Sequence, residues 1–300
     1  MAHIAIDLGN FNVKTSNKTI FRATCTPKKD GTTGGIDKTI EYKGIKYYIE
    51  KGEFDTEFSK SRKEVLPLFL YALGKTVPEN LKVINVVVGL PINQVSNRDE
   101  LIEKLEGNFT FKIGGADRHI IVKEVKVAPE CAGASLAIPE DVPQIEYILL
   151  DVGGLSGNMA LFQDGLYVKG GSIPKGILNL VADITSAVNA DYRLNLTTTQ
   201  MYRKLVNDHL QNSQGKIDLE PYRITHFIPY VEEIFKTLTQ QYEGLTTPIY
   251  VLGGGLDLLK PYVTQYLKQH SEYKMQVFND NMFLNVKGFE KLGDQIEWKN

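Results

Sequence analysis

The chain has 300 residues, 42% of them hydrophobic and 23% charged, with 34 Lys and Arg against 36 Asp and Glu for a formal net charge of −2. This is the composition of a globular chain long enough for two domains, and its charge balance excludes direct nucleic-acid binding through a strong basic excess. Two cysteines, Cys25 and Cys131, exclude a disulfide framework, and no apolar run reaches the ~18–20 residues of a spanning helix. With no basic region followed by an apolar core at the N-terminus, the expected setting is cytoplasmic, without a membrane role.

Residues 4–6 predict a strand that stops at Asp7-Leu8-Gly9-Asn10 and resumes over 13–16. A Gly- and Thr-containing stretch, 28–38, reads as a surface loop, and 59–75 as a helix. Residues 83–88 are apolar on both faces, which belongs to a buried strand of an α/β sheet, and end at Gly89-Leu90-Pro91. A helix is expected over 93–106. Around Pro139 and Pro143 the chain changes lobe, and 147–150 then repeats the opening grammar: a strand stops at Asp151-Val152-Gly153-Gly154 and returns over 158–162. Asp164-Gly165 signals a type I′ hairpin. Helices come next over 176–188, 197–210 and 225–242, then a buried strand, 249–252, ends in Gly253-Gly254-Gly255 before a helix over 256–268.

Asp7 and Asp151 lie about half the chain apart, so the sequence reads as two comparable lobes, each opening with an acidic turn. Glycines at a strand end, here Gly9 and Gly153-Gly154, let backbone approach a ligand and form a concave anion site. An Asp beside phosphates needs a divalent cation between them, and Mg²⁺, which keeps several waters, fits Asp7 and Asp151. Gly253, Gly254 and Gly255 leave room for a flat base or ribose.

Taken in order, these segments resemble the actin, Hsp70 and sugar-kinase superfamily, and within it the ParM-type bacterial actin-like proteins of plasmid segregation. Residues 4–14, with Lys14 seven positions after Asp7, are similar to the first phosphate motif. Gly89-Leu90-Pro91 is similar to a strand end of the ParM-like group. Val127-Ala128-Pro129-Glu130-Cys131-Ala132-Gly133-Ala134 resembles the first connecting helix, and 281–289 the second connecting segment. Leu155 stands where the family commonly has Gly or Thr, and Leu284 where it has Ala.

The resemblance implies an actin-like ATPase fold of two related lobes with a nucleotide cleft between them, domain I being 1–137 with 285–300 and domain II 138–284. It implies that Asp7 and Asp151 hold Mg²⁺ through water, that Lys14 contacts the β- and γ-phosphates, and that Gly9, Asn10 and Asn12 line the first loop. Glu130 would orient or deprotonate the attacking water, with Asp151 sharing that work. Ser156 would offer a hydroxyl to a phosphate oxygen, and Lys204 would lie near the base. The expected ligands are ATP or GTP with Mg²⁺. The expected partners are other copies of the chain and an adaptor protein on centromere-like plasmid DNA, with no direct nucleic-acid contact. Two alternatives share the fold: a small-molecule kinase, and a nucleotide-gated scaffold without significant hydrolysis, which Leu155 makes conceivable. Cys131 reads as core packing.

Overall fold

The computed structural model describes residues 2–27, 38–57, 59–138, 145–213, 215–242, 246–277 and 281–299. Except for Lys38, the loop expected over 28–38 lies outside them, as do Pro139 and Pro143. The chain divides into two compact units, Met1–Val142 with Met282–Asn300, and Pro143–Asn281.

The first unit opens with β1 (His3–Leu8), which turns back into β2 (Asn12–Thr15) and β3 (Ile20–Arg22). Short strands β4 (Cys25–Pro27), β5 (Thr39–Tyr42) and β6 (Ile45–Ile49) precede α1 (Leu66–Thr76) and β7 (Val83–Leu90). Then come α2 (Arg98–Leu105), β8 (Gly107–Ile113) and β9 (Ala116–Pro129). The nine strands lie in the order β3-β2-β1-β7-β9-β8-β5-β6-β4, with β1, β7 and β9 parallel. Parallel strands are apolar throughout because helices cover both faces. Ile4, Ile6, Val86 and Val88 join Phe69, Leu73, Leu101 and Leu105 from α1 and α2 in one core.

Two helices of the first unit differ from expectation. The one read over 59–75 starts only at Leu66, since Pro67 fits the first turn, where its missing N–H is not needed. Residues 59–65 are therefore turn, which frees Lys60 and Lys63 from a helical face. The helix read over 93–106 splits into a 3₁₀ segment, Ile92–Asn97, and α2.

The second unit begins with the meander β10 (Glu146–Val152), β11 (Gly157–Gln163) and β12 (Leu166–Ile173). Asp164 and Gly165 at its second turn have φ of 49° and 74°, as a type I′ hairpin requires. Next are α3 (Ile177–Tyr192), α4 (Thr198–Asn207), the small pair β13 (Gln211–Asn212) and β14 (Gly215–Lys216), and α5 (Glu220–Tyr242). The unit ends with β15 (Ile249–Leu252), α6 (Leu256–Gln269) and β16 (Met275–Val277). α5 starts earlier than the expected residue 225, and the Asp218 carboxylate accepts the Glu220 N–H at 3.0 Å.

The sheet order here is β12-β11-β10-β15-β16. A three-stranded meander followed by two parallel strands thus occurs twice, as β3-β2-β1-β7-β9 and again in the second unit. Asp7 and Asp151 occupy equivalent places, the next-to-last residue of each first strand. The chain finally returns to the first unit as α7 (Leu284–Gln295), whose Val286 and Phe289 pack on Ala5, Val87 and Ala128. Among the described residues no helix is long and apolar enough to cross a membrane.

Candidate functional site

Antiparallel pairing of β1 with β2 sets Asp7 opposite Lys14, and their side chains meet at 2.8 Å, Nζ to Oδ2. Both are buried. Burial pushes the Asp7 carboxyl up, but the ammonium groups of Lys14 and then Lys60 outweigh it and hold the carboxyl below its ordinary value. Asp7 is thus an ionised carboxylate at the end of a central strand. The turn after it needs Gly9, because a Cβ there would lie 2.5 Å from the Asn12 carbonyl oxygen. Asn10 accepts a hydrogen bond from Lys63 Nζ at 2.7 Å, and Lys63 also donates to the Asp55 carbonyl at 2.8 Å. Burial lowers the Lys63 pKa to about 8. A cavity of about 210 Å³, lined in part by Gly9, Asn10, Cys25, Lys63 and Leu68, opens beside this loop.

Glu130 reaches the same region from β9. Its N–H donates to the Leu90 carbonyl at 2.7 Å, extending the pairing of β7 with β9. Cys131 then takes a left-handed conformation, φ 66°, and donates its N–H to Asn285 Oδ1 on α7 at 2.9 Å. Because of that sharp turn Glu130 sits at a strand end, not on a connecting α-helix, and the chain continues into a 3₁₀ segment, Gly133–Ala137. Cys131 is buried, as expected of a packing residue.

The Glu130 carboxylate forms an ion pair with Lys60, which also donates to the Gly89 carbonyl at 3.3 Å. Burial pushes the Glu130 carboxyl up, Lys60 draws it back, and the Asp7 charge adds to the rise; the net position is above the ordinary value. Lys60 and Lys63 are the residues that sequence reasoning missed. The only signal was a cationic run, Lys60-Ser61-Arg62-Lys63, ahead of a proline that marks the helix start.

In the second unit, β10 places Asp151 beside Leu252 of β15 and opposite Asn158 of β11. Asp151 is buried, and its charge, after burial and Glu233, contributes to raising the Tyr230 phenol pKa. Asn158 occupies the register position that Lys14 holds in the first unit. It accepts from Ser172 Oγ at 2.6 Å and donates weakly to Ser156 Oγ at 3.5 Å. Leu155, bulky for its position in the family pattern, is accommodated in the interior at 3% exposure.

The Gly153 and Gly154 carbonyls accept the first N–H groups of α3, from Ile177 and Leu178, at 3.1 and 2.8 Å. Gly255 donates to the Val152 carbonyl at 3.0 Å, tying the third glycine turn to the acidic one. Gly253 has φ 96°, and a Cβ there would fall 2.3 Å from Asp151 Oδ1. Gly253→Ala is therefore expected to lower stability by about 1–3 kcal/mol, the cost of a strained backbone, with a steric contribution added. Urea unfolding checks this, and an unchanged midpoint refutes it. Nothing meets a Cβ at Gly254 within 4 Å. Lys204 lies half-buried in the last turn of α4, a helix packed on α3, apart from the bonds that join these turns.

Residues 5–133 match the family described as Actin like proteins N terminal domain. A non-polymerisable quadruple mutant of the pCBH ParM protein has a TM-score of 0.81 with this chain at 18% identity, covering 98% of this chain and 99% of its own. The chain has the actin-like fold. A 15-stranded ParM filament from Clostridium botulinum gives 0.80 at 19% identity, covering 99% of this actin-like chain and 100% of its own. An archaeal actin homologue in complex with ADP gives 0.76 at 16% identity, with coverage of 99% and 100%. No curated protein matches the sequence. At these identities the likeness establishes the actin-like fold, and the chemistry has to come from the chain's own residues.

Those residues gather within each unit. Asp7, Gly9, Asn10, Asn12, Lys14 and Glu130 belong to the first, where Lys60 acts electrostatically on both carboxylates. Asp151, Gly153, Gly154, Ser156, Gly253, Gly254 and Gly255 belong to the second, where the Gly255 bond to Val152 joins the two glycine turns.

Proposed function

We propose that the chain is an ATPase (or GTPase) whose nucleotide-bound subunits assemble head to tail into filaments. The observation carrying this reading is the buried set Asp7, Lys14, Lys60 and Glu130, gathered at the ends of β1, β7 and β9. In open α/β sheets ligands sit at the carboxyl ends of parallel strands. Two carboxylates and two ammonium groups placed there suit phosphate and metal chemistry more than core stability, since buried ion pairs stabilise weakly.

In this reading Lys14 binds the β- and γ-phosphates, Gly9, Asn10 and Asn12 line the first loop, and the second unit supplies Asp151, Gly153, Gly154 and Ser156. Gly253, Gly254 and Gly255 accept the nucleoside, with Lys204 toward the base. Glu130 orients the attacking water and takes its proton, a role favoured by a carboxyl poised above its ordinary value. The described residues contain no group of three or more His, Cys, Asp or Glu able to hold a metal. A single ionised Asp7, with Asp151 from the second unit, suits a cation that keeps most of its waters. Magnesium would neutralise phosphate charge there.

The archaeal homologue's ADP and the ParM filament support nucleotide binding and assembly. Heterologous contacts that do not close make an open polymer. Plasmid segregation through an adaptor, in the cytoplasm, is the role consistent with the absence of a basic excess. Sedimentation and light scattering with ATP, with ADP and without nucleotide, alongside phosphate release, test the proposal. ATP-dependent pelleting is expected. Phosphate release only on addition of a metabolite would favour a kinase, and binding without release a scaffold.

A further inference from the structure

We infer that Lys60 is a second phosphate-binding cation of this site, contacting the terminal phosphate while positioning Glu130. The inference rests on the nucleotide reading and deepens it.

Lysine is almost never fully buried unless paired, and the Lys60 side chain is 1% exposed. Its ammonium group has three donors. One goes to the Glu130 carboxylate and one to the Gly89 carbonyl. The third has no partner among the described residues, in surroundings where an unmet donor is costly. A structural lysine serving only to neutralise Glu130 leaves that donor unexplained, whereas a ligand oxygen satisfies it.

Charge balance points the same way. Asp7 and Glu130 against Lys14 and Lys60 sum to zero. A magnesium-bound triphosphate brings further negative charge, and Lys14 already pairs with Asp7 at 2.8 Å. Lys60 is the other buried cation acting on both carboxylates, and so the group left to meet that added charge. Lys63 is not among the charges that act on Asp7 or Glu130 and bonds instead to Asn10 and to the Asp55 carbonyl, so it does not take this part. The backbone fixes Lys60 as well: its N–H donates to Gln94 Oε1 at 2.9 Å, holding the turn ahead of α1 against the 3₁₀ segment.

A γ-phosphate contact separates triphosphate from diphosphate, and a merely structural role does not. Calorimetry with ATP and with ADP on the wild type, Lys60→Gln and Lys60→Arg reads this directly. Lys60→Gln is expected to weaken ATP about 10–100-fold, the worth of one charge-assisted hydrogen bond, with a much smaller effect on ADP. Lys60→Arg is expected to recover much of the ATP preference. Equal loss of both nucleotides, or loss of neither, overturns the inference. If Lys60→Gln does not fold, the charge-balanced pair Lys60→Gln with Glu130→Gln replaces it, compared with Glu130→Gln alone, and the same selective loss of ATP is expected. A wild type that binds neither nucleotide overturns the nucleotide reading itself, a result distinct from wild-type binding that Lys60→Gln leaves intact.

Discussion

Glu130→Gln is expected to slow phosphate release about 10²–10⁴-fold, the usual contribution of a positioned general base, with nucleotide affinity little changed. Glutamine is the informative substitution because Lys60 is buried against this carboxylate. Alanine would strand the ammonium, and breaking a buried pair costs about 3–5 kcal/mol. The amide oxygen of glutamine still accepts from Lys60 but takes no proton from water. Since a base works only when ionised, wild-type activity is expected to rise with pH through a carboxyl held above its ordinary value by burial, and the variant to lose that acidic limb. Filaments of the variant, if hydrolysis destabilises the polymer, are expected to persist longer in light scattering. A wild-type rate of phosphate release would remove Glu130 from the chemistry.

How much the sequence disclosed depends on the range of the interactions involved. The two acidic turns were legible because a strand, a tight turn and a returning strand are all encoded within about ten residues, and the repetition pointed to two lobes. The repeated sheet order extends that likeness to whole sheets. Strands β8 and β9 were missed although their signal was present. Phe109 and Phe111 are buried between exposed Asn108, Thr110 and Lys112, a period of two, and Gly114-Gly115 makes the turn with φ of 57° and 90°. Continuous apolar runs, which mark central parallel strands, stand out more in this sequence than alternation, which marks half-buried ones.

Lys60 was illegible for a different reason. Its partner Glu130 is 70 residues away, and nothing local distinguishes a buried lysine from a solvated one in a cationic run. The helical periodicity of 66–75 then drew the helix back over 59–65. The turn at Cys131 was equally hidden, since a left-handed cysteine has no sequence signature and is held there by Asn285 from the far end of the chain. The motif match named Glu130, while its orientation depends on α7.

That dependence makes Gly288→Ala the substitution with the largest expected cost in stability. In a helix interior alanine is favoured over glycine by about 1 kcal/mol, so propensity alone predicts a gain. Space decides otherwise. A Cβ at Gly288 would lie 2.1 Å from the Gly133 carbonyl oxygen and 2.8 Å from its carbon, and backbone cannot step aside as a side chain can. α7 would have to lift away, loosening Phe289, whose ring fits so closely against Gly89 and Gly133 that a Cβ on either would fall within 2.8 Å of it. The Asn285 bond to Cys131 would stretch with it. The net loss is expected to be about 3 kcal/mol or more, at the upper end for overpacking, read as a lower urea midpoint. Gly293→Ala on the same helix supplies the comparison: the three atoms nearest its Cβ all belong to the His3 ring, the closest at 2.4 Å, a side chain near the chain's start in place of backbone. Gly293→Ala is therefore expected to cost much less. Equal effects at the two positions would mean that backbone contact between α7 and the Gly133 segment does not hold the Glu130 turn in place.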